Sequence, residues 1–261
     1  MRLARFVLDN QVSYGLVDHL DDDSPTPDTV IMRLEGHPFE RPQPTGEVIP
    51  LAEVKLIAPV LPSKVIAVGR NYAAHNEEMG NTAPEEPMIF IKPSTTIVGP
   101  GAPIQLPSAS KQVDHEAELA IVIGRLCRDV PEADVEQVVL GITCANDVSA
   151  RDLQKSDGQW GRAKGFDSFC PLGPWISLGL DPDGLDISCT VNGEVRQNSN
   201  TSYMLRDARM LVSWISHVMT LLPGDVILTG TPAGVGPLAP GDECSVTIAG
   251  IGTLTNPVIA R

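Results

Sequence analysis

The chain carries 261 residues, with 19 Lys and Arg against 33 Asp and Glu, a formal net charge of −14. Nucleic acids and anionic membrane surfaces are held through Lys and Arg that neutralise phosphates, so this charge excludes both as the main partner and favours a small molecule or a metal ion. With 42% hydrophobic residues the chain can bury a real core, as one large domain or a small one plus a large one, and disorder is excluded.

Gly 23 and Pro 23 beside only 4% aromatic residues suit many short elements joined by turns, hence a β-rich fold. The five cysteines are odd in number, widely spaced and without a C-x-x-C pair. Neither a disulfide framework nor a structural zinc site is supported, and a reducing compartment is expected. The N-terminus lacks an uninterrupted apolar segment, and no stretch approaches the roughly 20 apolar residues that a membrane span requires. A soluble, cytoplasmic protein is expected.

In chain order, residues 2–18 alternate apolar and polar, an acidic proline-containing loop follows from Asp21 to Asp28, and a second such run begins at Val30, which predicts a small β meander. Residues 1–57 read as a separate N-terminal β domain. Ala58-Pro-Val-Leu-Pro-Ser reads as a linker, because its prolines remove ladder donors and favour extended backbone, and 58–261 form the larger domain. Strands are expected at Lys64–Val68, Met88–Lys92, Glu116–Ile123, Val139–Ala145, Trp175–Leu180, Ile187–Val191, Val195–Gln197, Asp225–Thr229 and Ser245–Ile248. Asn192-Gly193, between two of them, is the pair that a type I′ hairpin turn demands. Helices are expected from Pro131 to about Val138 and over Tyr203–Leu222, the second capped by Ser202 and stopped by Pro223-Gly224.

The chemistry concentrates in Asp114-His115-Glu116-Ala117-Glu118-Leu119. Strand side chains alternate, so Glu116 and Glu118 share a face with Cα atoms roughly 6–7 Å apart. An isolated E-x-E is usually a solvated edge; here the strand runs on into apolar residues on both faces, which carries the carboxylates inward, where a cation or proton must offset them. Asp147 ends the apolar run Val139–Ala145 and supplies a third carboxylate; alone it would be a turn or helix cap. Three carboxylates with no cysteine form a hard set that favours Mg2+, Mn2+ or Ca2+ over zinc.

His75 and Glu78 stand three apart before Gly80, hence on one helical face, where a carboxylate orients an imidazole as a general base; in isolation such a pair is usually a surface contact. Lys164 lies in a glycine-flanked loop, where the default is solvent and the alternative is an ammonium held for a substrate carboxylate or developing oxyanion. Thr229-Gly-Thr-Pro-Ala-Gly-Val-Gly is glycine-rich but lacks the Lys-Ser/Thr of a phosphate loop.

Taken in order, GRNYAAHNEEMG, DHEAELAIVIG, ANDVSARDLQ, GRAKGFDSFCPLGPW, VNGEVRQ and TGTPAGVG resemble the fumarylacetoacetate hydrolase family in its small bacterial form, from about Val65 to the C-terminus. The resemblance implies a mainly β fold with a few helices, a mixed β-sandwich roll behind a small N-terminal β domain, commonly a homodimer. It implies a divalent cation, usually Mg2+, on Glu116, Glu118 and Asp147, a water-activating dyad of His75 and Glu78 on a lid, and Lys164 at the oxyanion. Gln154 and Thr231 match positions that contact substrate. Apart from the resemblance, Arg70 is expected, with Lys164 and the metal, to hold a dianionic substrate despite the net charge of −14. One departure is His115, where relatives frequently have an aromatic residue.

Members of the family cleave acylpyruvates, decarboxylate oxaloacetate and other 2-oxo diacids, or isomerise 2-hydroxyhepta-2,4-diene-1,7-dioate, so the fold alone does not select the reaction. The apparent completeness of the dyad favours hydrolytic C–C cleavage of an acylpyruvate. Isomerisation or decarboxylation of a dicarboxylic 2-oxo acid in aromatic catabolism is the runner-up, and a non-catalytic, metal-stabilised binding module is the alternative of another class.

Overall fold

The alternating N-terminal run forms antiparallel strands Arg2–Leu8 and Gln11–Asp21 in a computed structural model that describes all 261 residues. The acidic loop expected from Asp21 to Asp28 contracts to Asp22-Asp23, whose φ angles of 44° and 63° are left-handed. Strand Ser24–Glu35 takes up the remainder despite Pro25 and Pro27. The prolines are tolerated because that end pairs on one side only; the neighbouring strand Gln43–Pro50 joins from Val30 onward. In all, 46% of residues are in strands and 16% in helices, the mainly β architecture that the composition implies.

Ten strands run in order across the main sheet: Gln43–Pro50, Ser24–Glu35, Gln11–Asp21, Arg2–Leu8, Cys170–Ser177, Val139–Asn146, Ala117–Ile123, Val226–Leu228, Val65–Gly69 and Met88–Lys92, with Lys55–Ile57 and Ile97–Val98 paired at its side. The N-terminal meander continues this sheet through the pairing of Arg2 with Ser177 and Leu3 with Ile176. A second sheet runs Glu194–Asn200, Asp186–Val191, Glu243–Ile248, Gly252–Ala260 and Ile104–Leu106, and a third joins Ser149–Ala150, Val113–His115 and Gly236–Pro237.

The main core lies between the two larger sheets, where Leu119, Ile121, Ile142 and Trp175 meet Ile187, Cys189, Val246 and Leu254. Trp175 is buried and donates its indole N–H to the carbonyl of Ile251 at 2.6 Å, so the largest core side chain also satisfies its polar atom. A second cluster on the other face of strand Ala117–Ile123 gathers Ala120, Val122, Ala145, Val65 and Leu228. With both faces covered, all seven residues of that strand are buried.

Four α-helices are present: α1 (Ala73–Glu78), α2 (Arg151–Asp157), α3 (Gly161–Lys164) and α4 (Ala208–Val218). The helix expected over Tyr203–Leu222 is therefore shorter, and Asp207, not Ser202, caps it by accepting the Met210 N–H at 2.8 Å. Tertiary bonds take the missing turn: Asn71 accepts the backbone N–H groups of Leu205 and Arg206, which holds that stretch out of the helix. The helix expected after Pro131 is a 3-10 segment, Glu132–Gln137.

Strand boundaries shift for physical reasons as well. The Trp175–Leu180 strand is Cys170–Ser177, fully buried although Pro171 and Pro174 read as breakers. The Asn192-Gly193 turn has φ of 54° and 79° and joins Asp186–Val191 to Glu194–Asn200, as the type I′ signal requires. Strands Gln43–Pro50, Ile104–Leu106 and Gly252–Ala260 escape the sequence pattern, the first because its residues are exposed and polar.

Candidate active site

Regular strand geometry begins at Ala117, so Glu116 sits at the break between strands Val113–His115 and Ala117–Ile123. Its N–H donates to Asn146 Oδ1 at 2.9 Å and its carbonyl accepts the Asp147 N–H at 2.8 Å, which clamps the ends of two neighbouring strands together. Glu118 follows inside the strand. One carboxylate oxygen from each of Glu116, Glu118 and Asp147 falls within 4.8 Å of the others, and all three residues are buried.

Cations ring this cluster. Lys164 Nζ lies 2.7 Å from Glu116 Oε2 and 2.7 Å from Asp147 Oδ2, and Lys92 Nζ lies 2.5 Å from Asp147 Oδ1. The Lys164 expected in a solvated loop is instead buried at the end of α3, 5.4 Å from the Phe90 ring centroid. Arg151, the first residue of α2, donates to Glu116 Oε1 at 2.6 Å, to Asp114 Oδ2 at 2.8 Å and to Gln154 Oε1 at 2.7 Å. Gln154 thereby turns its NH2 group away from Arg151, as a donor.

Glu118 has no cationic partner. Its carboxylate accepts only the Gly230 N–H, at 2.6 Å. Gly230 has φ of 100°, and an added Cβ would stand 2.7 Å from Asn71 Cβ, so only glycine brings that N–H so close. Burial, then Asp147 and Glu116, push the Glu118 carboxyl well above the usual carboxylate range. Burial opposes ionisation of Glu116 too, but Lys164, Arg151 and His75 outweigh it and hold that carboxyl low. The same logic raises Lys164, where burial is overcome by Asp147 and Glu116.

A divalent cation fits this arrangement. The donors are hard oxygens clustered within 4.8 Å of one another, and an ionised Glu118 has no lysine or arginine partner, so a proton or a cation is required there.

α1 stands across the same cavity. His75 Nδ1 lies 3.1 Å from Glu78 Oε2, and Glu78 Oε1 accepts the Gly234 N–H at 3.0 Å, which ties the helix to the glycine-rich loop. Facing a carboxylate, Nδ1 is the donor, and Nε2 is left able to take a proton. The cavity, of about 320 Å³, is lined by His75, Glu116, Glu118, Asp147, Lys164, Arg70, Gln154 and Thr231. The geometry thus brings every sequence-derived site residue except Glu78 to the lining itself, with Glu78 behind His75.

Arg70 holds a left-handed backbone (φ 61°), an uncommon conformation for a residue with a side chain, and its Nε is buried without a partner. Unlike Lys92, Lys164 and Arg151, the lining residues Arg70 and Lys155 are in no ion pair. Two cations in the cavity are therefore free for an anion.

Lys92 and Arg151 reach the carboxylate cluster although no motif in the sequence points to them. Lys92 ends the apolar strand Met88–Lys92, and a lysine closing M-I-F-I-K before proline was the available signal. Arg151 lies four residues past Asp147 in A-N-D-V-S-A-R-D, but only the packing of α2 against Val113–His115 turns it onto Asp114 and Glu116.

The fumarylacetoacetate (FAA) hydrolase C-terminal family matches residues 64–259, and an Rv2993c-like N-terminal family matches residues 1–59. The chain belongs to the fumarylacetoacetate hydrolase family. That family generally binds a divalent metal through a Glu/Asp triad of the kind seen here. Among solved structures, 5-carboxymethyl-2-hydroxymuconate delta-isomerase from Mycobacterium smegmatis is 56% identical, with a TM-score of 0.93 and full coverage of both chains. Maleylpyruvate hydrolase from Sphingobium sp. SYK-6, solved with manganese(II) and pyruvate, is 33% identical with a TM-score of 0.80, covering 100% of this chain and 99% of that one. The mitochondrial oxaloacetate tautomerase Fahd2a of Rattus norvegicus is 47% identical over 223 residues, 81% of this chain and 71% of that protein.

Proposed function

We propose that this chain is a divalent-cation-dependent enzyme that moves a proton at the carbon beside the keto group of a dicarboxylic 2-oxo acid, interconverting enol and keto forms or shifting a double bond. The observation that carries this reading is His75, backed by Glu78, lining one small cavity with three carboxylates. Glu116, Glu118 and Asp147 would hold Mg2+, with Mn2+ or Ca2+ as alternatives. Such a cation supplies Lewis-acid stabilisation of negative charge on the oxygen of the 2-oxo group.

The chain's own residues supply the rest. His75 Nε2 takes the proton from the carbon beside the keto group and delivers it to the enol oxygen, or to a carbon further along the chain in the double-bond shift, with Glu78 holding the ring by Nδ1. Lys164, already between Glu116 and Asp147, adds positive charge where the enolate oxygen develops. Arg70 and Lys155, free of ion pairs, receive the second carboxylate, and the Gln154 amide donates to a substrate oxygen.

Hydrolytic C–C cleavage of an acylpyruvate, favoured by the sequence, becomes the second reading. The relatives at 56% and 47% identity are named an isomerase and a tautomerase, whereas the hydrolase stands at 33%. A homodimer in the cytoplasm belongs to the same reading. The test is a panel with Mg2+: enol–keto interconversion of oxaloacetate, isomerisation of 2-hydroxyhepta-2,4-diene-1,7-dioate, decarboxylation of oxaloacetate, and hydrolysis of acetylpyruvate and fumarylpyruvate. Proton-transfer turnover with the highest kcat/KM is expected. Hydrolysis or decarboxylation at least tenfold faster than either proton transfer would overturn the proposal.

A further inference from the structure

Gln197 ends V-N-G-E-V-R-Q on the edge strand Glu194–Asn200 of the five-stranded sheet, yet its side chain is wholly buried. Its amide is bonded at every position. Oε1 accepts the Ala117 N–H at 2.9 Å and meets His115 Nδ1 at 3.1 Å; Nε2 donates to Thr231 Oγ1 and to the Pro232 carbonyl, each at 2.8 Å. Partners of fixed polarity set the amide's orientation, since a peptide N–H only donates and a carbonyl only accepts. His115 Nδ1 is consequently a donor, which gives a role to the residue that departs from the family pattern.

The same network decides what Thr231 can offer. Its hydroxyl donates its one proton to the Ala117 carbonyl at 2.8 Å and spends one lone pair on the Gln197 N–H. A hydroxyl has one proton and two lone pairs, so acceptor capacity alone remains. Thr231 is a lining residue of the cavity that holds the three carboxylates.

We propose that Gln197 is a positioning residue that locks the Thr231 hydroxyl as an acceptor toward the cavity, so that this point of the site takes an O–H-bearing form of the substrate, the enol, rather than a carboxylate oxygen. A carboxylate oxygen placed against that hydroxyl would face its lone pair, whereas the end with Arg70 and Lys155 offers unpaired cations to the second carboxylate. The inference rests on the reading of this cavity as a 2-oxo acid site.

Two probes separate the cases on the Mg2+-loaded protein by calorimetry: oxalate, which has no O–H when ionised, and tartronate (2-hydroxymalonate), which has one. Thr231→Val is expected to weaken tartronate about tenfold, the order of a lost hydrogen bond, while oxalate stays within twofold or tightens. Gln197→Met should weaken tartronate in the parent and add nothing in a Thr231→Val background, with Mg2+ affinity within twofold throughout.

Equal weakening of oxalate and tartronate by Thr231→Val would overturn the proposal, and that variant leaves Gln197 in place should Gln197→Met fail to fold. An additional loss from Gln197→Met in the Thr231→Val background would overturn it as well. If the parent binds neither probe, the 2-oxo acid reading itself falls and this inference with it; a parent that binds both but shows no selectivity in the variants counts against this inference alone.

Discussion

His75 and Lys164 carry the sharpest consequences at the scale of single residues, because one sits behind the carboxylate cluster's charge and the other within it. His75 bonds only Glu78 and lines the cavity without being one of the three clustered ligands. Replacing it by alanine should lower kcat by on the order of 10²–10⁴, the usual worth of a positioned acid–base group, while the Mg2+ dissociation constant measured by calorimetry stays within a factor of two. A parallel loss of Mg2+ affinity would make His75 a ligand. Lys164 and Lys92 show why a lysine in a loop or at a strand end is hard to read: sequence gives each a solvated default, and burial against Asp147 is a property of the folded chain.

At the scale of elements, capping rather than hydrophobic pattern decides where α4 begins. Ala208, Leu211 and Ile215, at helical spacing, are buried, whereas Leu205, Val218 and Leu222 at the same spacing are exposed; Asn71 captures the backbone of Leu205 and Arg206, and the cap passes to Asp207. Asp207→Ala removes the acceptor for the Met210 N–H and should cost about 1 kcal/mol of stability. In a chain of this size that lowers Tm by roughly 2–4 °C, measurable by calorimetry, whereas Ser202→Ala, at a residue outside the helix, should leave Tm within 1 °C of the parent. The short α1 is held differently: Glu78 ties it to Gly234, so the element that bears His75 depends on a loop some 150 residues downstream.

For the whole molecule, Glu118 lies in strand Ala117–Ile123, Glu116 just before it and Asp147 just past the neighbouring strand Val139–Asn146, all braced by α2, α3 and the loop at Gly230, so cation binding would be linked to stability. Mg2+ at 100 times its dissociation constant should add about 2.7 kcal/mol and raise Tm by roughly 5–10 °C over the EDTA-treated protein; a Tm indifferent to Mg2+ and EDTA would place no cation in the native state. Much of this was legible beforehand. Composition implied a mainly β fold, and the two-residue alternation of Glu116 and Glu118, with Asp147 at the end of an apolar strand, marked the carboxylates, because strand periodicity and burial are local properties. Helical spacing likewise paired His75 with Glu78. The counterions and the buried amide were another matter: Lys92, Arg151 and Gln197 lie 55, 35 and 80 residues from the groups they bond, and nothing local in their segments reveals those partners. The sequence by itself thus determined which residue types and periods the chain presents, and hence its strands, carboxylate face and dyad. Only the tertiary structure decided which lysines are buried, where α4 is capped and which way the Thr231 hydroxyl points, because hydrogen bonds between distant segments outweigh local propensity once water is excluded.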